Sequence, residues 1–149
     1  MISKKELNTL QTTKLNLAAN MLYRTADLYD GNSKSLLPLW GGGIVSHGVP
    51  KIKKCIIGIT EAAELAPVNK RTNDHLFRVT ETVSHIIQRI KNDNLSIAEI
   101  EDILLQRSAL MTTTREENNK ILKDALRHCE NKDCWQELYK YAGIKYRLY

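Results

Sequence analysis

Thr72-Asn-Asp74-His75-Leu-Phe77 and, further along, Ala109-Leu-Met-Thr-Thr-Thr114-Arg-Glu-Glu-Asn118-Asn119-Lys120 are the two stretches on which the fold turns. The first reads as a short extended segment ending on an acid and an imidazole. The second begins with another short extended piece, Ala109 to Thr113. It then passes into Thr114-x-x-Glu117, a capping box in which side chain and backbone satisfy each other's first-turn donors. A strand that runs straight into a capped helix places Asn118 in that helix's first turn. Ile121, Leu122, Ala125 and Leu126 follow at helical spacing, to about Cys129.

Working outward, Ser96-x-x-Glu99 is another capping box, opening a helix with Ile97, Ile100, Ile103 and Leu104 inward. Val83, Ile86, Ile87 and Ile90 mark the helix before it, with Thr80 as its cap and Asn92-Asp-Asn94 as its stop. Ser3-x-x-Glu6 begins an N-terminal helix with Leu7, Leu10, Leu15, Ala18, Met21, Leu22 and Ala26 on one face, stopped at Asp30-Gly31-Asn32. A loop with Pro38, Trp40 and Gly41-Gly42-Gly43 follows; without a Lys-Ser/Thr after it, the glycine run is a turning connection rather than a phosphate loop. From Pro50 to Ala63 helical spacing predicts a helix, although Cys55-Ile-Ile-Gly-Ile59 also suits a buried strand. Trp135, Leu138, Tyr139 and Ile144 predict a last helix before a terminal strand, Lys145 to Tyr149.

The chain has 149 residues, enough to bury one core without staples. Its 42% hydrophobic and 26% charged composition excludes wholesale disorder. A net charge of +5 favours polyanionic partners, nucleic acid first and an anionic membrane surface second. Lys51, Lys53, Lys54, Lys70 and Arg71 are the densest basic grouping, read equally well as a phosphate-contacting surface and as a solvated face. Three cysteines are too few for a disulfide framework and fit a reducing compartment. Cys129-x4-Cys134 with His128 has no second knuckle to complete a tetrahedral zinc site, so free thiols are expected. With no apolar leader and no apolar run of about 18 residues, a soluble, cytoplasmic protein that enters no membrane is expected.

The central segment, Thr72 to Ala125, resembles the HNH (His-Me finger, ββα-metal) nuclease superfamily. In that family a strand ends in Asp-His, a connection follows, and a second strand leads into a helix carrying Asn or His. The resemblance implies that Asp74 and Asn118 bind one divalent cation, Mg²⁺ or a similar ion, and that His75 takes the proton from the attacking water. Lys70, Arg71 and Arg78 become candidate contacts to DNA phosphates, since a guanidinium grips two oxygens at once. The chemistry is coherent: phosphodiester hydrolysis needs charge neutralisation and an activated nucleophile. An unperturbed imidazole is mostly neutral near pH 7 and can serve as base.

The resemblance leaves departures. The connection between the two strands must hold two helices, the family's middle Asn has no clear counterpart beyond Asn92 or Asn94, and Asn119 competes with Asn118 for the metal role. Neighbouring residues on a strand point to opposite faces, so Asp74 and His75 share a site only where the strand ends or bends. Each residue also has an ordinary explanation: Asp74 as a turn residue, His75 as a half-buried histidine, Asn118 as a helical first-turn residue.

The expected architecture is therefore mainly α with a small β element, a helical domain around a ββα-metal (HNH-like) core. It divides into an N-terminal helical part (1–70), the core with a helical insertion (71–128), and a C-terminal helix and tail (129–149). The expected function is a metal-dependent DNA endonuclease, with a homodimer left open. The alternatives are a non-enzymatic DNA-binding protein, with a helix-turn-helix over Ser96 to Leu126 and Arg115, Lys120 and Lys123 on phosphates, and a helical interaction module.

Overall fold

The computed structural model describes residues 2–29, 39–51 and 53–149. The expected helix stop at Asp30-Gly31-Asn32 and the loop proline Pro38 lie outside them. The chain is mainly helical with a four-stranded sheet. Its principal elements are α1 (Thr9–Thr25), α2 (Ser46–Gly48), β1 (Ile56–Thr60), α3 (Glu61–Leu65), β2 (Arg71–His75), α4 (Val79–Asp93), α5 (Ile97–Gln106), β3 (Leu110–Thr114), α6 (Leu122–His128), α7 (Trp135–Tyr141) and β4 (Tyr146–Leu148). They gather into two compact units, Met1–Cys55 with Phe77–Ser108, and Ile56–Leu76 with Ala109–Tyr149. These boundaries do not fall at 70/71 and 128/129: residues 56–70 and 129–149 belong with the sheet, and α4 and α5 belong with the N-terminal helices.

In the helical unit the Ser3–Glu6 capping box forms, with the Ser3 N–H donating to Glu6 Oε2 at 2.9 Å, but it closes only one 3-10 turn, Lys4–Glu6. Leu7 is extended, and the long helix starts afresh at Asn8, whose Oδ1 accepts the Gln11 N–H at 2.8 Å while Gln11 caps back. A second, better-placed cap therefore overrides the first. Leu15, Ala18, Ala19 and Leu22 are buried, whereas Leu10 and Met21, expected inward, are exposed. The Gly41-Gly42-Gly43 run is not a loop. It lies in a wide i→i+5 helical segment, Leu39–Val45, anchored by buried Trp40, whose Nε1 donates to Thr25 Oγ1 at 2.9 Å. A Cβ at Gly48 would come within 2.2 Å of Ala18 Cβ, so the close approach of α2 to α1 requires glycine.

Val83, Ile86 and Ile87 of α4 and Ile100, Ile103 and Leu104 of α5 supply the rest of this core. Helix α4 begins after Arg78 rather than Thr80 and ends where Asn94 turns left-handed at φ 51°. Helix α5 is capped as its sequence predicts, Ser96 Oγ accepting the Glu99 N–H at 3.3 Å and the Glu99 carboxylate accepting the Ser96 N–H at 2.8 Å. Buried Glu101 is neutralised by Lys4 and accepts from Asn16 Nδ2 at 2.7 Å, tying α5 to α1 and the N-terminal turn.

In the other unit the expected helix from Pro50 gives way to the strand alternative. Ile56–Thr60 becomes the inner strand β1, parallel to β3 and antiparallel to β4. Partners distant in sequence settle what local spacing left open, in favour of the β-branched reading. Gly58 makes this pairing fit, because a Cβ there would lie 2.5 Å from the Arg147 backbone oxygen. Thr60 then caps α3, its Oγ1 accepting the Ala63 N–H. The sheet order is β2-β3-β1-β4, which leaves β2 at an edge. No helix-turn-helix exists over Ser96–Leu126: β3, rich in β-branched threonine and paired on both sides, stands between α5 and the helix beginning at Arg115. No helix among the described residues is long and apolar enough to cross a membrane.

Candidate functional site

Strand β2 lies antiparallel to β3, pairing Arg71 with Thr114, Thr72 with Thr113, Asn73 with Thr112, Asp74 with Met111 and His75 with Leu110. Pairing reaches one residue further, where the Leu76 N–H donates to Ala109 O at 3.1 Å. Because directly paired residues share a face and faces alternate, Thr72, Asp74, Met111 and Thr113 stand on one side. Asn73, His75, Leu110 and Thr112 stand on the other, where Thr112 Oγ1 donates to Asn73 Oδ1 at 3.1 Å. The pairing register runs unbroken through Asp74 and His75, so alternation directs them to opposite faces of the same edge strand. They can address one ligand only around the open edge of β2.

Asp74 is half-buried. Its Oδ2 accepts the Tyr139 hydroxyl at 2.8 Å, and its carboxylate also accepts the His75 backbone N–H. Burial outweighs these two donors and raises the Asp74 pKa above its ordinary 3.8. Tyr139 is fully buried, its ring edge-on to Trp135 and Tyr146 with centroids 5.7 Å away in each case. Burial first, then the negative charge of Asp74, pushes its hydroxyl well above the usual phenol range, so it acts as a fixed donor. One carboxylate oxygen is thus occupied by Tyr139. On the same face, Thr113 is fully buried and its Oγ1 has no hydrogen-bond partner among the described residues.

The helix that follows β3 starts as its capping box predicts. Glu117 Oε2 accepts the Thr114 N–H at 2.7 Å, and Thr114 Oγ1 accepts the Glu117 N–H at 3.0 Å. Buried Glu117 also accepts from Thr60 Oγ1 at 2.7 Å, pinning the helix start to the end of β1. The helix widens to i→i+5 over Glu117–Ile121 before continuing as α6. Asn118 is half-buried in the first turn and Asn119 is exposed.

The other expected site residues are less uniform. Lys70 is exposed just before β2. Arg71 commits its guanidinium to the backbone, Nε and Nη2 donating to Ala66 O at 2.9 and 2.8 Å. Its N–H groups brace the α3–β2 connection, which lessens their availability to phosphate. Arg78 belongs to the helical unit, where it precedes α4 and pairs with Glu81 at 3.4 Å. Among the described residues no group of three or more His, Cys, Asp or Glu side chains could hold a metal, and Cys129 and Cys134 are free thiols. In sequence Tyr139 stands only among the positions that predict the last helix. The one signal of more was that a buried phenol needs a partner for its hydroxyl.

Comparison with protein-family models, with curated proteins and with solved structures gave no match.

The Asp74 environment sets a pH dependence. The folded protein holds this proton to higher pH than the unfolded chain, so the Asp74 contribution to stability is full below the ordinary 3.8 and is lost as pH rises through the folded value. Asp74→Asn removes the titration while keeping an acceptor for Tyr139. Urea midpoints of Asp74→Asn and parent should therefore diverge in favour of the variant between about pH 3 and pH 7. A constant difference across that range would contradict the desolvated carboxylate.

Proposed function

We propose that the sheet-bearing unit is a metal-dependent endonuclease core of the HNH type, acting on DNA. The observation that supports it is the order of parts. An acid and an imidazole end an edge strand, that strand pairs antiparallel with β3, and β3 runs directly into a capped helix with Asn118 in its first turn. In this reading Asp74 and Asn118 would hold the cation, and His75 takes the proton from the attacking water at the edge of β2. Tyr139 occupies Asp74 Oδ2 and the His75 N–H takes a further acceptor position, so the ion would use a remaining lone pair of the carboxylate.

The donor chemistry fits a hard divalent cation, which accepts one or two protein oxygens and retains several waters. Bound there, Mg²⁺ would neutralise charge on the phosphate and on the leaving oxygen. Thr113, on the Asp74 face of the β2–β3 pair, has a buried hydroxyl without a partner among the described residues, and in this reading it would hydrogen-bond a water of the ion. Lys70 would contribute positive charge beside β2.

The test is nicking of supercoiled plasmid by the purified protein with Mg²⁺ and with EDTA. Nicking is expected with Mg²⁺ only. Intact plasmid in both, from protein that binds DNA, would leave a binding protein and remove the hydrolase reading.

A further inference from the structure

At the Arg71–Thr114 end of the β2–β3 pair, the same unit carries an open groove of about 1120 Å³. Its lining brings together Lys70, Arg115, Lys120 and Lys145, with Asn69 and Asn119 as neutral hydrogen-bonding groups of the same lining. None of the four cations forms an ion pair with another described residue. Glu61, Glu116 and Glu117 also line the groove. Of these, Glu117 is buried with its Oε2 saturated by the Thr114 N–H and the Thr60 hydroxyl. Glu116 lies in the first turn of the helix, where unpaired N–H groups offset its charge. Asp74, His75 and Asn118 are not in the lining.

From these placements we infer that the groove is a contact for the sugar–phosphate backbone of DNA, separate from the site of cleavage. The inference rests on the nuclease reading for its register: His75 lies four residue steps along the strand from Arg71, about 13 Å at ~3.3 Å per residue. One strand of B-DNA advances ~3.4 Å per nucleotide along the helix axis, so a duplex whose axis runs along the β2–β3 pair meets the groove about four nucleotides from the phosphate at His75. Cations gathered in an open groove stabilise a polyanion through counterion release, and the asparagines can hydrogen-bond phosphate oxygens without reading sequence.

The test uses a fluorescent 30-base-pair duplex in EDTA, so that binding is read without cleavage. Anisotropy titrations over a NaCl series compare the parent, the triple variant Arg115→Gln/Lys120→Gln/Lys145→Gln, and a control triple variant of exposed lysines outside the groove, Lys14→Gln/Lys132→Gln/Lys140→Gln. Each phosphate contact contributes about 0.9 to the slope of log K against log salt. The groove variant should lose about two to three units of slope and the control little. Equal losses in both, or no loss in the groove variant, would overturn the inference. A protein that never nicks plasmid yet shows the groove-specific loss would retain the groove and lose only the nuclease reading.

Discussion

His75→Ala should lower the rate of plasmid nicking about 10²–10⁴-fold while leaving DNA affinity and the unfolding transition near those of the parent. That range is what a positioned general base contributes to a transition state. The fold should survive because His75 is half-buried at the last position of an edge strand. The β2–β3 ladder is made by backbone groups that alanine retains, and Leu76 still donates to Ala109. Single-turnover nicking with excess protein separates the chemical step from binding. A variant that nicks at the parent rate removes His75 as the base, and one that no longer folds assigns it to the core.

The largest expected effect on stability lies at Tyr139. Tyr139→Ala removes a fully buried ring from a cluster with Trp135 and Tyr146, and a loss of about 3–5 kcal/mol is expected. Tyr139→Phe keeps the ring and deletes only the donor to Asp74, which costs about 1 kcal/mol. The two variants then separate packing from positioning. If the hydroxyl orients Asp74 for a cation, Tyr139→Phe should raise the Mg²⁺ concentration for half-maximal nicking by roughly 10–100-fold, as loss of an outer-shell partner does. Removing that donor also sends the Asp74 pKa further up, since the Tyr139 hydrogen bond is among the influences that hold it down. Urea unfolding and the Mg²⁺ response of the two proteins provide the check. A Phe variant with an unchanged Mg²⁺ response would make Tyr139 a core residue only.

Much of the secondary structure was legible because its determinants are local. The boxes at Ser96 and Thr114 reach only three residues and form as written. Thr72 to Phe77 and Ala109 to Thr113 read as short extended pieces, and the paired strands are Arg71–His75 and Leu110–Thr114. What local spacing could not settle was decided by distant partners. Ile56–Thr60 satisfies both a helical and an extended pattern, and β3 on one side with β4 on the other selects the strand. The three glycines read as a loop, yet Trp40 buries itself and carries them into a helical segment. The grouping of α4 and α5 with α1 follows from packing of apolar faces that the sequence reveals singly but does not match to one another.

At the candidate site, the acid, the imidazole and the amide were legible as residue types at a suggestive order. Their surroundings were not. The donor to Asp74 comes from Tyr139 on α7, and nothing in the Asp-His stretch points to it. Arg71 looks like a free cation in sequence, but carbonyls of the preceding turn claim its guanidinium. The choice between Asn118 and Asn119 likewise needs the helix in place, which leaves one half-buried and sends the other into the groove.

The nicking rate measured against Mg²⁺ concentration, for parent, Asp74→Asn and Asn118→Ala, addresses the metal-dependent nuclease core most directly. Each variant removes one proposed ligand, so each activation curve should move to higher Mg²⁺ by at least the ~10-fold that loss of an outer-shell partner produces. Thermal unfolding should confirm that both variants fold. A parent that nicks equally well without divalent cation, or variants whose curves overlay the parent's, would contradict Asp74 and Asn118 as the metal-binding pair.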